Sequence, residues 1–195
     1  MCALALLSVA CGSVAPLIGL RAATQSTPVD VFVDRVQLSH GEGGDQRTFA
    51  CDALQQTDTP VCVPMLPVEG VDWSTLPQVS TPAPEAKLSA PLRLGGRFDG
   101  CVLTVTSVES AGGAALSAPT YKPARLFESA AKALDASTSI DPSETRCNGA
   151  LRPVLSWGAT GRSVEVTVIW ADQESVADLR TRYGPVTVVS RLVPA

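Results

Sequence analysis

The chain has 195 residues, of which 45% are hydrophobic and 17% charged, and its 15 basic and 19 acidic residues leave a net charge of −4. Such a composition is globular, with length for one domain with a full core or two small ones. Its few, scattered basic residues argue against nucleic-acid binding, and aromatics at 5% argue against stacking platforms.

In chain order, the first stretch, Met1 to Leu20, contains no charge. It has the length of a membrane-spanning helix, about 20 residues, but Ser8, Gly12, Ser13 and Pro16 dilute its second half. It also reads as a core helix, or as a cleaved export signal ending near RAATQS, with Arg21 unusually close to the cut. A fourth reading rests on LALLSVAC, where small residues directly precede Cys11. This run resembles the lipobox of bacterial lipoproteins, although Ser8 stands where Leu is commonest and the usual basic start is missing.

The resemblance implies that Cys11 carries a diacylglyceryl group, that the residues before it are removed, and that the new N-terminus is acylated. Membrane lipid is then a partner through Cys11, and the protein belongs to the cell envelope, on the outer face of the cytoplasmic membrane. Each buried methylene contributes about 0.8 kcal/mol, so two or more acyl chains hold firmly. GSVAPLIGLRAATQSTP becomes a tether, and residues 1–28 form the signal, lipobox and tether. Twelve Arg against three Lys, with Asn148 as the single Asn, fit a high-GC bacterial genome.

Six cysteines occur, at 2, 11, 51, 62, 101 and 147. With Cys2 removed and Cys11 lipidated, Cys51, Cys62, Cys101 and Cys147 make an even set, which in an exported domain reads as two disulfides. Three connectivities are open. Cys51–Cys62 with Cys101–Cys147 is favoured: the first closes a short polar loop, and the second ties a strand to the loop after a helix. Zinc and redox chemistry fit less well, because no C-x-x-C occurs and no cysteine stands at zinc spacing from His40, the single histidine.

VDVFVDRVQL (29–38) predicts a strand with Val29, Val31 and Val33 on one face. The apolar parity switches at Val36 and Leu38, which predicts a bulge near Arg35. HGEGGD (40–45) reads as a turn, and residues 48–67 as a disulfide-closed hairpin or loop. Pro67, Pro77, Pro82, Pro84 and Pro91 then mark a connection that forbids a regular helix. The expected division is an N-terminal β segment, 29–92, and a main α+β domain, 93–195; a single domain over 29–195 is the alternative.

CVLTVTSV (101–108) is β-rich, and 110–119 is a flexible connection. KPARLFESAAKALDAS (122–137) predicts a helix with Pro123 in its first turn and Leu126, Phe127, Ala130, Ala131 and Leu134 in one stripe. Residues 151–159 and 162–171 read as paired strands, with Val164, Val166, Val168 and Trp170 on one face. Asp172 caps a helix with Val176, Leu179 and Tyr183 inward, stopped by Gly184 and Pro185. A last strand, 185–194, completes a crossover. The expected class is α+β: a mixed β-sheet with two helices packed on one face, disulfide-stapled.

No pattern carries catalysis. G-x-S-x-G is absent, so His40 lacks a nucleophile of that type. Asp30, Asp34, His40, Glu42 and Asp45 form a loose acidic patch without EF-hand spacing. Arg93, Arg97, Arg125 and Arg152 could gather as an anion site. Trp73, in the GVDW loop, is the expected exposed partner surface, while Trp157 and Trp170 are expected in the core. The function expected is a non-enzymatic binding or envelope-interaction module, its partner an envelope protein or small ligand, without cofactor. A secreted hydrolase using carboxylates or His40 is one alternative. A protease inhibitor or prodomain-like folding partner, which needs a rigid loop or sheet edge, is the other.

Overall fold

A computed structural model of the protein describes residues 27–41, 45–55, 61–79, 86–141 and 145–195. Cys2, Cys11, the lipobox-like run and most of the tether lie outside the described residues, as do Glu42, the tip of the 48–67 hairpin and residues 80–85.

The strands are β1 (Val29–His40), β2 (Thr48–Gln55), β3 (Val61–Glu69), β4 (Gln78–Val79), β5 (Lys87–Ser89), β6 (Leu92–Phe98), β7 (Leu103–Ser110), β8 (Thr120–Tyr121), β9 (Val154–Thr160), β10 (Ser163–Val168), β11 (Thr187–Ser190) and β12 (Val193–Pro194). Two helices, α1 (Ala130–Thr138) and α2 (Gln173–Tyr183), complete the elements.

Where one mixed sheet was expected, two are present, and the larger curls into a ring. β1 pairs β2, β2 pairs β3, β3 runs parallel to β7, β7 pairs β6, and β6 returns to β1. A bulge in β1 makes this geometry possible. The register against β6 shifts between Val33 and Val36, and Arg35 adopts φ 55°. The first half of β1 thus pairs β6 while its second half also serves β2, and the added residue bends the strand between them. Val31, Val33, Val36 and Leu38 all point into the ring, which is the parity switch read from the sequence. Phe98, Leu94, Leu103, Met65 and Leu66 fill the same core, and Leu151, Ile169 and Leu192 enter it from the C-terminal half.

The smaller sheet has the order β8-β11-β10-β9. α2 connects the parallel neighbours β10 and β11. Asp172 caps α2 by accepting from the Ser175 N–H at 2.7 Å, and Gly184, at φ 82°, ends it. Both helices share one core with Val164, Val166, Val168 and Val188, leaving Glu165 and Thr167 on the opposite face. α1 starts at Ala130, well after Pro123, with Ser129 as its cap. The reason is local: the Phe127 N–H donates to the Arg162 carbonyl at 2.9 Å, and Tyr121 is already in a strand opposite Val188. That backbone cannot also be helical. The expected stripe changes accordingly, with Phe127 and Ala133 buried while Leu126 and Leu134 are exposed.

The two halves are joined covalently and by charge. The disulfides are Cys51–Cys62 within the β2–β3 hairpin and Cys101–Cys147 between the β6–β7 turn and the segment before β9. Asp34, beside the bulge, accepts from Arg93 Nε at 3.1 Å and from the Leu116 N–H at 2.9 Å, while Arg93 also donates to the Ala114 carbonyl. This knot fastens the 111–119 connection to β1. Burial pushes the Asp34 carboxyl up, but the Arg93 hydrogen bond, the Leu116 N–H and the two nearby guanidinium charges prevail and hold it below the usual aspartate value. A depressed pKa stabilises the fold above the unfolded value, about 3.9, and that stability is lost as the pH falls through the folded value. Asp34→Asn is expected to cost about 2 kcal/mol at pH 7, the scale of hydrogen bonds to a charged group. The difference from the native chain should shrink below about pH 4. Urea unfolding at pH 7 and pH 3 checks both statements.

Candidate functional site

β2 and β3 present their outer face to the segment that leads into β9. The backbone of that segment is unusual: Cys147 (φ 58°), Asn148 (φ 60°) and Gly149 (φ 81°) are all left-handed. Each non-glycine residue in that conformation costs about 1–2 kcal/mol, with Asn better tolerated than most. The turn is held by the Ala150 N–H donating to the Cys147 carbonyl at 3.2 Å, by paired hydrogen bonds between Arg146 and Leu151, and by the disulfide to Cys101. Three constraints together fix a conformation that the residues alone would not choose.

Between this turn and the ring lies a cleft of about 580 Å³. Phe49, Val63, Pro64, Val154 and Leu155 supply its apolar lining, and Asp45, Arg47, Asp52, Gln55 and Arg152 its polar one. Asp45 and Arg47 form an ion pair at 2.6 Å, and Arg47 stacks its guanidinium over Phe49, 5.0 Å from the ring centre. The Arg47 hydrogen bond holds the Asp45 carboxyl down at about 2, the direction opposite to that a general acid needs. Asp52 faces Arg191 at 3.4 Å, tying β2 to the β11–β12 junction. Arg152 has no ion-pair partner among the described residues. The cleft therefore offers an apolar surface, two charge pairs already satisfied, and one open guanidinium.

Of the charged and aromatic residues singled out from the sequence, Asp45 and Arg152 line the cleft, and the other described ones fall elsewhere. His40 ends β1, with Nδ1 3.1 Å from Thr48 Oγ1. The same hydroxyl accepts from Trp73 Nε1 at 3.2 Å, and the Trp73 ring tilts against His40. Trp73 is thus half-buried against the ring's core, not an exposed anchor, because the GVDW loop folds back over β2. Trp157, expected in the core, is 36% exposed at a sheet edge, and Trp170 packs partly buried against the larger core. Alternation along β2 turns Phe49 to the cleft and Thr48 to the Trp73 side. The loose acidic patch is dispersed among partners: Asp30 with Arg97, Asp34 with Arg93, Asp45 with Arg47. Of the four arginines proposed as an anion site, Arg93 and Arg97 are engaged on β6 and Arg152 lines the cleft. Among the described residues no group of three or more His, Cys, Asp or Glu could hold a metal ion, and no helix is long and apolar enough to cross a membrane.

Sequence reasoning missed the cleft because its two walls come from residues 45–64 and 149–155, which meet only when the ring closes. The one available signal was the cysteine pairing, since a bond between Cys101 and Cys147 draws the second wall to the ring. No protein-family model matches this chain, and no curated protein and no solved structure was found to be similar to it.

Proposed function

We propose that the protein is a lipid-anchored, extracytoplasmic binding module that holds its ligand in the β2–β3 cleft and performs no chemistry on it. The observation that carries this reading is the cleft itself, a partly apolar hollow of about 580 Å³ whose second wall is a constrained turn. The ring supports it by analogy. The ring order β1-β2-β3-β7-β6, returning to β1 with β3 parallel to β7, is that of the oligonucleotide/oligosaccharide-binding barrels, in which the face of the second and third strands takes the ligand. Asp45 and Asp52 balance Arg47 and Arg152, so the charges suit a small neutral or singly anionic ligand better than a phosphodiester chain. Two disulfides agree with an oxidising compartment, and Cys11 supplies the anchor by its lipobox resemblance.

Intact-mass analysis of the native membrane fraction tests the address. A chain beginning at Cys11, heavier by its acyl groups and lacking four thiol hydrogens, is expected; a soluble chain that keeps residues 1–10 overturns it. The cleft is tested by a thermal-shift screen of small neutral and carboxylate compounds. Hits are expected to disappear in Ala150→Trp, which fills the hollow, and hits that persist there overturn the site.

A further inference from the structure

Among the described residues several sheet edges are short and blunted; β7 beyond Thr104 is open but carries Glu109, and β9 is a long open edge without a charge. β4, β8 and β12 have two residues each and lie against or contain proline: Pro77, Pro119 and Pro194. Short, proline-bounded edges do not recruit foreign strands. β9 is the outer strand of the smaller sheet; Pro153 stands just before it, but its length is seven residues rather than two, and VLSWGAT includes neither a charge nor a proline. Its only register irregularity lies at its start, opposite Val168. Residues 156–160 are exposed, and a Cβ added at Gly158 would meet no atom within 4 Å.

The register says which backbone groups are on offer. The Gly161–Arg162 turn makes Thr160 and Ser163 the closing, hydrogen-bonded pair of a two-residue hairpin. Pairs then alternate, so Trp157 and Ala159 turn their N–H and C=O groups away from β10, toward the open edge. Charge marks the ends. Arg152 precedes the strand and Arg162 follows it, and neither has an ion-pair partner among the described residues. The acid closest in register, Glu165, stands one strand in, opposite Gly158 on the sheet's open face.

We propose that β9 accepts an extended polypeptide segment of another protein as a fifth strand, the segment being uncharged along its length and acidic at both ends. Main-chain hydrogen bonds to Trp157 and Ala159 give the affinity, and Arg152 and Arg162 select the acidic ends. A second copy of this chain fits less well: an antiparallel pair related by a two-fold axis brings Arg152 of one copy beside Arg162 of the other, like charges opposed.

The experiment uses two labelled synthetic peptides of alternating threonine and valine, one with aspartates at both ends and one with lysines. Fluorescence anisotropy of the labelled peptide reports binding to the folded, oxidised protein. The aspartate peptide is expected to bind about tenfold more tightly than the lysine peptide at low salt, and Arg162→Glu should reduce that preference. Ala159→Pro removes one outward N–H without touching the β9–β10 ladder, and binding should vanish while the circular dichroism stays native. If that variant does not fold, the Arg162→Glu result decides. Arg152 belongs both to the cleft and to the start of β9, so the two sites are separated at Arg162, which does not line the cleft: Arg162→Glu should weaken peptide binding and leave the small-molecule hits of the cleft intact. Binding unaffected by Ala159→Pro in a folded variant, failure of the aspartate peptide to bind, or a β9-dependent dimer in ultracentrifugation overturns the proposal.

Discussion

Replacing Cys101 and Cys147 together by alanine is expected to lower the melting temperature by about 10 °C and to weaken the ligand binding proposed for the cleft. Their sequence separation of 46 gives, by loop entropy, about 4 kcal/mol, and a domain of this size shifts by about 2–4 °C per kcal/mol. Removing Cys51–Cys62, with a separation of 11, should cost about 3 kcal/mol. The two losses differ in kind. Without its bond to Cys101, the turn at 147–149 is free to leave its left-handed conformation, and the second wall moves with it. Cys51 and Cys62 are 4% and 6% exposed, whereas Cys101 and Cys147 are only half-buried. A mild dithiol reductant should therefore open the second bond first, and thiol alkylation followed by mass mapping checks the order. Preferential loss of Cys51–Cys62 would refute this reading of the turn.

Gly96→Ala is expected to destabilise the protein by about 3 kcal/mol, at the upper end of the usual overpacking range. A Cβ at Gly96 would overlap the carbonyl of Thr104 and crowd the Cα of Val105, both backbone atoms of the neighbouring strand. The β6–β7 register shifts between Gly95 and Gly96, so the strands approach closely where the ring turns. Gly95→Ala meets only side chains, the Ser107 hydroxyl and the Phe32 ring, which can rotate aside. It should be the milder of the two, and urea midpoints for both variants test the ranking.

The local features of this fold were written in the sequence, and its closure was not. The bulge at Arg35 followed from a switch in valine parity, and the ending from Asp172 to Ser190 from a cap, a stripe and a glycine. Those signals act over a few residues. The boundary of α1 was misplaced because the backbone at Phe127 is claimed by Arg162, a partner far along the chain. Trp73 is more buried and Trp157 more exposed than expected for a similar reason. Burial of an aromatic in a loop depends on what the loop folds against, and Thr48 and His40 are remote in sequence from Trp73. The cleft was the least legible feature, since residues such as Phe49 and Leu155 have no common pattern until the ring brings them together.

The final strand segment has a consequence for the order of folding. The buried Ser190 hydroxyl donates to the Leu192 carbonyl and accepts from the Ala171 N–H as the chain leaves one sheet for the other, and Val193 and Pro194 then settle beside Phe32 and Val31. The outer rim of the earliest described strand is thus finished by a segment from the far end of the described residues. A pairing between segments so distant in sequence must meet the entropy of closing a long loop before it stabilises anything, which favours late, all-at-once locking over stepwise growth.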